Sequence, residues 1–266
     1  MKDYSAEIDV NEKFYLIWDN LKLTNKNAKD NNSKPLGIVL GGAAGSGKST
    51  IAEQIKTENN NFLFINPDDL RKYHKNFKEL HDIYGENATQ HTSEFAWKMT
   101  EALFNKALSE KYNVILETSF RNVDIPIMAL KAMKNRGYET TVKLCVISKE
   151  EGRKNTIERA KKMELTGKPP RHVPEHIFNE MVQNLPDNAE KVFNSGLADR
   201  FTIQNRESLL FDSKASKANQ SIKKIVSNEL NKNSIKQQFK SVLTQVNKEK
   251  TELKNPVQSK TSKLKI

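Results

Sequence analysis

A glycine-rich segment at residues 42–49, with the sequence GAAGSGKS, limits this chain to a small number of folds. It matches the pattern G-x-x-x-x-G-K-[S/T] at each fixed position and follows an apolar run at residues 38–40. Ile51, Ala52 and Ile55 then recur at the spacing of a buried helix face. Glycines allow the backbone N–H groups to converge on an anion, at which the following helix also points its N-terminus. The segment therefore predicts a phosphate-binding loop between a buried strand and a helix.

This loop predicts binding of a nucleoside triphosphate together with magnesium. Lys48 is expected to reach the β- and γ-phosphates, and the hydroxyl of Ser49 is expected to hold Mg²⁺. ATP or GTP would satisfy the pattern equally well. The candidate nucleotide-binding residues are Gly42, Ala43, Ala44, Gly45, Ser46, Gly47, Lys48, Ser49 and Thr50.

The distribution of charge argues against a nucleic-acid site in the body of the protein. The net charge is +11, but residues 214–266 alone contain thirteen lysines and three acidic residues. In residues 1–34, six basic residues balance six acidic ones, so the segment between is almost neutral. A basic tail of this kind indicates nothing about the chemistry of the central segment.

The only cysteine, Cys145, lies in an apolar run and is expected to be a buried thiol. Without a second cysteine no intramolecular disulfide can form, which fits a reducing compartment. No apolar run approaches the length of a membrane span, and the first ten residues lack the pattern of a signal peptide. We therefore expect a soluble, cytoplasmic protein.

Strand and helix patterns alternate from residue 35 onward, which predicts an α/β fold with a mostly parallel sheet and helices on both faces. A final β pair is expected at residues 201–203 and 209–211. We divide the chain into an N-terminal extension and linker (1–34), a P-loop kinase domain (35–213) and a lysine-rich, partly helical tail (214–266). The remaining predicted strands cover residues 37–40, 62–65, 114–116 and 141–147, and the later helices cover 93–110, 124–137, 150–165, 174–185 and 186–195.

Both extensions contain amphipathic helical patterns. Phe14, Ile17 and Leu21 share one face of an N-terminal helix, which could dock on the main domain or on a partner. Apolar residues also recur at helical spacing in the tail, beginning at Ile222 and Ile225. The tail could pack on the domain, or it could bind a partner or an anionic surface.

Carboxylates follow two of the predicted strands. Asp68 and Asp69 come after the second strand, and Glu117 after the third. Ligands of open α/β sheets bind at the carboxyl ends of the strands, so these side chains are candidates for contact with an acceptor hydroxyl. Either aspartate could serve as a general base, or one of them could cap the helix that begins near Leu70.

The helix predicted at residues 150–165 and the glycine- and proline-rich segment after it resemble a mobile lid over a phosphate site. Arg159 lies in this helix and Arg171 in the following segment. Arginines delivered by a lid can neutralise the charge that develops on a transferred phosphoryl group.

Taken together, residues 35–212 resemble the zeta toxin family, kinases of bacterial toxin–antitoxin pairs that phosphorylate UDP-N-acetylglucosamine on the 3'-hydroxyl of its amino sugar. Beyond the phosphate loop, the resemblance rests on short matches in the same order along the chain: DDLRKYH at 68–74, ETSFR at 117–121, VDIPI at 123–127, GYET at 137–140, TIER at 156–159, RHVP at 171–174, NLP at 184–186 and NRE at 205–207.

The resemblance implies roles for individual residues. Asp68 corresponds to the general base, and Arg159 and Arg171 to the arginines that contact the γ-phosphate. The implied substrate-binding residues are Asp68, Glu101, Glu117, Ser119 and Arg121. Two positions depart from the family pattern: Asn66 stands where many members have an acidic residue, and Thr118 where glycine is usual.

The resemblance also implies a partner, a small helical antitoxin that blocks the nucleotide site. Three functions remain open. The first is phosphorylation of UDP-N-acetylglucosamine, which would poison the synthesis of peptidoglycan precursors. The second is phosphorylation of another small acceptor, such as a different nucleotide sugar, NAD or a nucleoside. The third is a nucleotide-sensing binding protein that acts through its basic tail, although we expect no specific nucleic-acid partner.

Overall fold

In the computed structural model, residues 4–24, 33–58, 61–215 and 220–232 are described. Their strands are β1 Leu36–Gly41, β2 Leu63–Ile65, β3 Val114–Thr118, β4 Glu139–Cys145, β5 Arg200–Gln204 and β6 Leu209–Asp212. These strands form one sheet in the order β2-β3-β1-β4-β5-β6, parallel except for the antiparallel pair β5–β6. This arrangement confirms the predicted α/β class.

Helices cover both faces of the sheet, as predicted. In β1, Ile38 and Leu40 belong to a small core with Ala52 and Ile55 of the first helix after the phosphate loop, whereas Val39 belongs to a larger core on the other face. The helices are α1 Ala6–Thr24, α2 Lys48–Glu58, α3 Pro67–Leu70, α4 Phe77–Tyr84, α5 Ala88–His91, α6 Ser93–Ser109, α7 Asp124–Asn135, α8 Lys149–Leu165, α9 Glu175–Asn194 and α10 Ile222–Leu230.

The N-terminal helix α1 docks on the main body of the protein. Ile17 and Trp18 are buried in the larger core, and Phe14 and Leu21 pack against it. At the other end of α1, the backbone N–H of Lys75 donates to Asp9 Oδ2 at 3.0 Å. Of the two alternatives for the Phe14 face, docking on the body is the one observed.

The first part of the C-terminal tail is also part of the compact unit, which ends at Leu230. Ile222, Val226 and Leu230 of α10 are buried in the larger core. The apolar positions from residue 235 onward, on which the longer helical prediction rests, lie outside the described residues.

Three predicted elements differ from the structure. Residues 174–195 contain a single helix, α9, with Pro186 in its interior, instead of two helices separated at this proline. Proline removes one backbone donor, but Leu185, Ala189 and Val192 are completely buried, and their packing holds the helix together. β3 extends two residues further than predicted, to Thr118, and β4 lies two residues earlier, at Glu139–Cys145.

Within the part of the chain that the structure describes, none of the helices combines the length and apolarity that crossing a membrane requires.

Candidate functional site

The phosphate loop connects β1 to α2 in a conformation that depends on glycine. Gly42 and Gly45 have φ angles of 140° and 77°. A Cβ atom at Gly45 would lie 2.2 Å from the carbonyl oxygen of Gly152 in α8, and one at Gly42 would lie 2.3 Å from that of Cys145. Asn155 of α8 also donates from Nδ2 to the carbonyl oxygen of Gly45 at 2.9 Å. The loop is therefore packed directly against α8.

Lys48 begins α2 and turns back over the loop. Its Nζ donates to the carbonyl oxygens of Gly42 and Ala43 at 2.8 and 3.0 Å, and the side chain is almost completely buried. Ser49 and Thr50, in the first turn of α2, are exposed to solvent. Ser46 Oγ is buried and has no hydrogen-bond partner among the described residues. A buried ammonium group, an unpaired hydroxyl and a helix N-terminus are groups that suit a bound polyphosphate.

Glu117 faces this lysine from the end of β3. Its Oε1 lies 3.7 Å from Lys48 Nζ, and its Oε2 accepts a hydrogen bond from Asn66 Nδ2 at 3.2 Å. Burial raises the pKa of Glu117 above its ordinary value, although the charge of Lys48 opposes this shift. The amide of Asn66 thus satisfies a buried carboxylate that a second acid at this position would repel.

Asn66 also organises the segment that contains the two aspartates. It is the N-cap of α3, and its Oδ1 accepts from the backbone N–H of Asp68 at 2.9 Å. The capping role that the sequence left open for an aspartate therefore belongs to Asn66. A continuous series of contacts leads from Lys48 through Glu117 and Asn66 to Asp68.

Asp68 lies within a group of arginines. Arg71 Nε donates to its Oδ1 at 3.0 Å. Burial by itself would raise the pKa of Asp68, but the charges of Arg71, Arg171 and Arg159 outweigh it and hold this pKa below its ordinary value. The carboxylate is consequently ionised at neutral pH, as a proton acceptor must be.

Asp69 is paired with the segment after α8. Its Oδ1 accepts a short hydrogen bond from Arg171 Nη2. Arg159 of α8 interacts electrostatically with Asp68, and its buried Nε has no hydrogen-bond partner among the described residues. Burial lowers the pKa of the Arg159 guanidinium, an effect that the Asp68 charge opposes. Both predicted lid arginines therefore interact with the aspartates of α3, Arg171 by a hydrogen bond and Arg159 through its charge.

Ser119 and Arg121 lie in the short loop after β3, which is braced by α9. Asn188 Nδ2 donates to the carbonyl oxygens of Phe120 and Arg121 at 2.9 and 3.0 Å, and Asn184 Nδ2 donates to the latter at 3.3 Å. Phe120 is completely buried with a φ angle of 57°, in the left-handed region that non-glycine residues rarely adopt. These two asparagines hold the loop in its unusual conformation.

Glu101 is exposed on α6. Within the described part of the chain, its side chain makes no hydrogen bond or ion pair with Asp68, Glu117 or the two lid arginines.

A pocket of about 410 Å³ opens beside the phosphate loop. One wall is formed by Ser46, Gly47 and the α2 residues Thr50, Ile51 and Gln54, and the other by residues 204–209 of the β5–β6 connection. Arg206 Nη1, in this connection, lies 2.8 Å from Glu151 Oε1 in the first turn of α8. The pocket has the size and position of a nucleoside site next to the phosphates.

Several residues of the site were not identified from sequence. Arg71 lay inside the matched segment at 68–74, and Asn188 lay two residues after the matched segment at 184–186, but neither was assigned a role. A signal was available for Asn188, because Asn184 and Asn188 are four residues apart and share a helix face. No such signal existed for Asn155, whose partner, Gly45, is 110 residues away.

A mostly parallel sheet with a phosphate loop, and an aspartate whose pKa is lowered by the charges of nearby arginines, are features of P-loop enzymes of the kinase type. The family model described as Zeta toxin matches residues 19–216. The chain belongs to the zeta toxin family.

Curated relatives agree with this assignment. The sequence is 32% identical over 190 residues to Toxin PezT of Streptococcus pneumoniae serotype 4, covering 70% of this chain and 75% of the relative. It is 30% identical over 203 residues to Toxin zeta of Streptococcus pyogenes, covering 74% and 70%.

Solved structures support the fold. The chain matches a structure from the PezAT chromosomal toxin–antitoxin system of Streptococcus pneumoniae with a TM-score of 0.73 and 27% identity, covering 86% of this chain and 88% of the other. A structure of AvrRxo1-ORF1:-ORF2 with ATP matches with a TM-score of 0.59 and 14% identity over 79% of this chain and 68% of the other, a likeness of fold alone.

Proposed function

We propose that this protein is an ATP-dependent kinase that phosphorylates the 3'-hydroxyl of the amino sugar of UDP-N-acetylglucosamine. The observation that carries the proposal is the series of contacts from Lys48 to Asp68 through Glu117 and Asn66. It joins a phosphate-donor site to the backbone of Asp68, whose carboxylate can accept a hydroxyl proton, as transfer of a phosphoryl group requires.

The residues of the site have separate roles in the proposed reaction. Asp68 accepts the proton of the acceptor hydroxyl as its oxygen forms a bond to the γ-phosphorus, and the bond between this phosphorus and the β,γ-bridging oxygen breaks. Lys48, Arg159 and Arg171 neutralise the charge that develops during the transfer. Ser49 would hold Mg²⁺, which supplies further charge neutralisation at the phosphates.

The pocket beside α2 is proposed to receive the nucleoside of the donor. Its walls adjoin the phosphate loop at Ser46 and Gly47, so that a triphosphate chain can continue from the pocket into the loop. ATP is the proposed donor, and GTP is the alternative that a direct comparison would decide.

The acceptor is proposed to lie against Glu117 and the loop that contains Ser119 and Arg121. Thr118, which departs from the family pattern, is buried in β3, and its Oγ1 accepts from the backbone N–H of Phe120 at 3.4 Å. Its hydroxyl is therefore engaged in shaping the acceptor loop, which is compatible with a sugar acceptor. Glu101 remains a proposed substrate residue on the family resemblance alone.

We also propose a small helical antitoxin as a partner and the cytoplasm as the site of action. The support is family membership and the likeness to a structure from a toxin–antitoxin system. In the cytoplasm, phosphorylation of UDP-N-acetylglucosamine would interrupt the synthesis of cell-wall precursors.

The proposal can be tested with purified protein, Mg²⁺ and either ATP or GTP, incubated with a panel of UDP-sugars, NAD and nucleosides. Mass spectrometry should detect a phosphorylated UDP-N-acetylglucosamine, which Lys48→Ala should abolish. Asp68→Asn should lower kcat by at least about 100-fold, the usual contribution of a general base. Asp69→Asn, the matched control, should lower it less because Asp69 binds Arg171 instead of the acceptor.

Each failure of this experiment has a distinct meaning. Phosphorylation of NAD or a nucleoside, without a UDP-N-acetylglucosamine product, would replace the proposed acceptor while leaving the kinase chemistry intact. Full activity of Asp68→Asn would overturn the assignment of the base. Absence of any phosphorylated product, together with salt-dependent binding of DNA or anionic vesicles that is lost on removing residues 214–266, would favour a binding protein.

A further inference from the structure

Helix α10, the last helix among the described residues, lies beyond the segment that matches the family, which ends at residue 216. It is nevertheless firmly attached to α9. In addition to its three buried apolar residues, Lys223 Nζ lies 2.6 Å from Asp187 Oδ1, and Ser221 Oγ donates to Glu190 Oε1 at 2.8 Å. A helix fixed in this way can hold other parts of the protein in place.

The last turn of α10 reaches the proposed donor pocket. Glu229 Oε1 accepts a hydrogen bond from Asn205 Nδ2 at 3.0 Å, and both residues are half-buried. Asn205 lies in the wall of the pocket formed by the β5–β6 connection. Through this hydrogen bond, α10 contacts a side chain that lines the pocket.

Asn205 in turn determines the shape of that wall. Its Oδ1 accepts from the backbone N–H groups of Glu207 and Ser208, both at 2.8 Å, and from Ser208 Oγ at 3.3 Å. A side-chain amide that bonds its own backbone two and three residues ahead fixes a tight turn. Because one amide group supplies all these contacts, anything that orients its Nδ2 also orients the turn.

We infer that Glu229 is a positioning residue for the donor nucleotide, acting through Asn205 on the wall that faces the nucleoside. This inference rests on the proposed function only in placing the donor nucleoside in this pocket. With the Asn205 amide held in one orientation, the turn at residues 205–208 is presented to the ligand in a single conformation, so binding does not have to order it. The affinity for the donor nucleotide thus depends in part on a helix outside the family match.

The contact between Glu229 and Asn205 lies at the proposed donor site and not at the proposed acceptor site. The acceptor loop is braced by Asn184 and Asn188 of α9, which donate to backbone carbonyl oxygens of that loop, whereas Glu229 accepts from Asn205 in the donor pocket. Loss of the Glu229 contact should therefore weaken binding of the donor without changing the KM for the acceptor. A helix that merely stabilised the fold would not separate these two quantities.

The test uses the full chain with Glu229→Ala, Glu229→Gln and Lys223→Ala. Binding of the non-hydrolysable ATP analogue AMP-PNP with Mg²⁺ is measured by calorimetry, and thermal unfolding is measured in parallel. Glu229→Ala should weaken binding by about 5- to 10-fold, as expected for one lost hydrogen bond to the turn. Glu229→Gln keeps the acceptor oxygen and should return the affinity to within about twofold of wild type. Lys223→Ala removes an exposed ion pair to α9, while Ile222, Val226 and Leu230 keep α10 docked and Asn205 is not touched, so it should leave the affinity unchanged.

Two results would overturn the inference: an unchanged affinity in Glu229→Ala, or an equal loss in Lys223→Ala. If the wild-type protein bound no nucleotide, the proposed function would fall and the inference with it. If the kinase assay yields a phosphorylated product, the KM for ATP should be higher in Glu229→Ala than in wild type, while kcat and the KM for the acceptor stay constant. A fall in kcat alone would also contradict the positioning role.

Discussion

Arg71 holds the proposed catalytic base Asp68 from one side: its Nε donates to Asp68 Oδ1 at 3.0 Å, and its Nη1 donates to the carbonyl oxygen of Thr89 at 2.6 Å and to Thr92 Oγ1 at 3.0 Å. The guanidinium group is thus anchored on the segment leading into α6 and cannot follow a moving carboxylate. The Arg71 side chain therefore both supplies positive charge beside the Asp68 carboxylate and fixes the position of this carboxylate.

Replacing Arg71 should change the pH dependence of the reaction. Arg71→Ala removes the nearest of the charges that lower the pKa of Asp68, while burial and the neighbouring Glu117 remain. A carboxyl whose pKa is depressed is active above that pKa and loses activity as the pH falls through it. The acid limb of kcat should therefore move to higher pH, by about one unit or more.

The control for this prediction is Arg71→Lys, which keeps the charge but not the planar group that also reaches Thr89 and Thr92. It should shift the acid limb less than Arg71→Ala, and both variants should lower kcat at pH 7 by about 10- to 100-fold because the base is displaced. An acid limb at the wild-type pH in Arg71→Ala would show that another group titrates.

Asn66 accounts for one departure from the family pattern. Asn66→Asp would set a second carboxylate beside Glu117 in place of the amide donor, and the pKa of Glu117, already raised by burial, should rise further. A carboxyl whose pKa is raised on folding reduces the stability progressively as the pH rises from the ordinary pKa of the unfolded chain to the raised pKa of the folded one. The loss of stability relative to wild type, measured by denaturant unfolding, should therefore grow between about pH 5 and pH 8.

Asn66→Ala separates the charge from the hydrogen bonds in this experiment. It should destabilise the protein by about 1 kcal/mol at every pH in the range, since it removes contacts without adding a charge. A pH-independent loss in Asn66→Asp as well would contradict the predicted repulsion.

Asn188 should affect the acceptor more than the donor. Asn188→Ala removes two of the hydrogen bonds by which α9 holds the loop containing Phe120 and Arg121, and leaves the longer one from Asn184. The KM for the acceptor should rise about tenfold, with the KM for ATP unchanged. Asn188→Asp preserves the size of the side chain but not the N–H donors, so it should behave like the alanine variant. Equal changes in both KM values would contradict this division.

The sequence predicted the sheet and the phosphate loop because their signals are local. The glycines and the lysine of residues 42–49 and the neighbouring apolar runs all fall within a few residues of one another. Asp68 and Glu117 lie at the carboxyl ends of β2 and β3, where the predicted strands put them. The same reasoning went wrong at Pro186, where burial of the surrounding helix outweighs the loss of one hydrogen bond.

Contacts between distant segments could not be predicted in this way. Arg171 and Asp69 are separated by 102 positions, and no periodic pattern relates them. The role of Asn66 was equally hidden, because its two partners, Glu117 and the backbone of Asp68, meet only when β2 and β3 pair. The sequence therefore indicated candidate residues, whereas the structure shows which contacts orient them.

The close approach of Gly45 to α8 predicts that two glycines of the same loop respond differently to substitution. Both Gly45→Ala and Gly47→Ala put a side chain on a residue with positive φ, at a cost of about 1–3 kcal/mol each. The added Cβ meets nothing within 4 Å at Gly47, but at Gly45 it would lie 2.2 Å from the carbonyl oxygen of Gly152. Gly45→Ala should therefore unfold at a lower temperature than Gly47→Ala, because α8 must move and its Asn155 hydrogen bond is lost. Equal melting temperatures would mean that α8 can move away from the added Cβ atom without loss of stability.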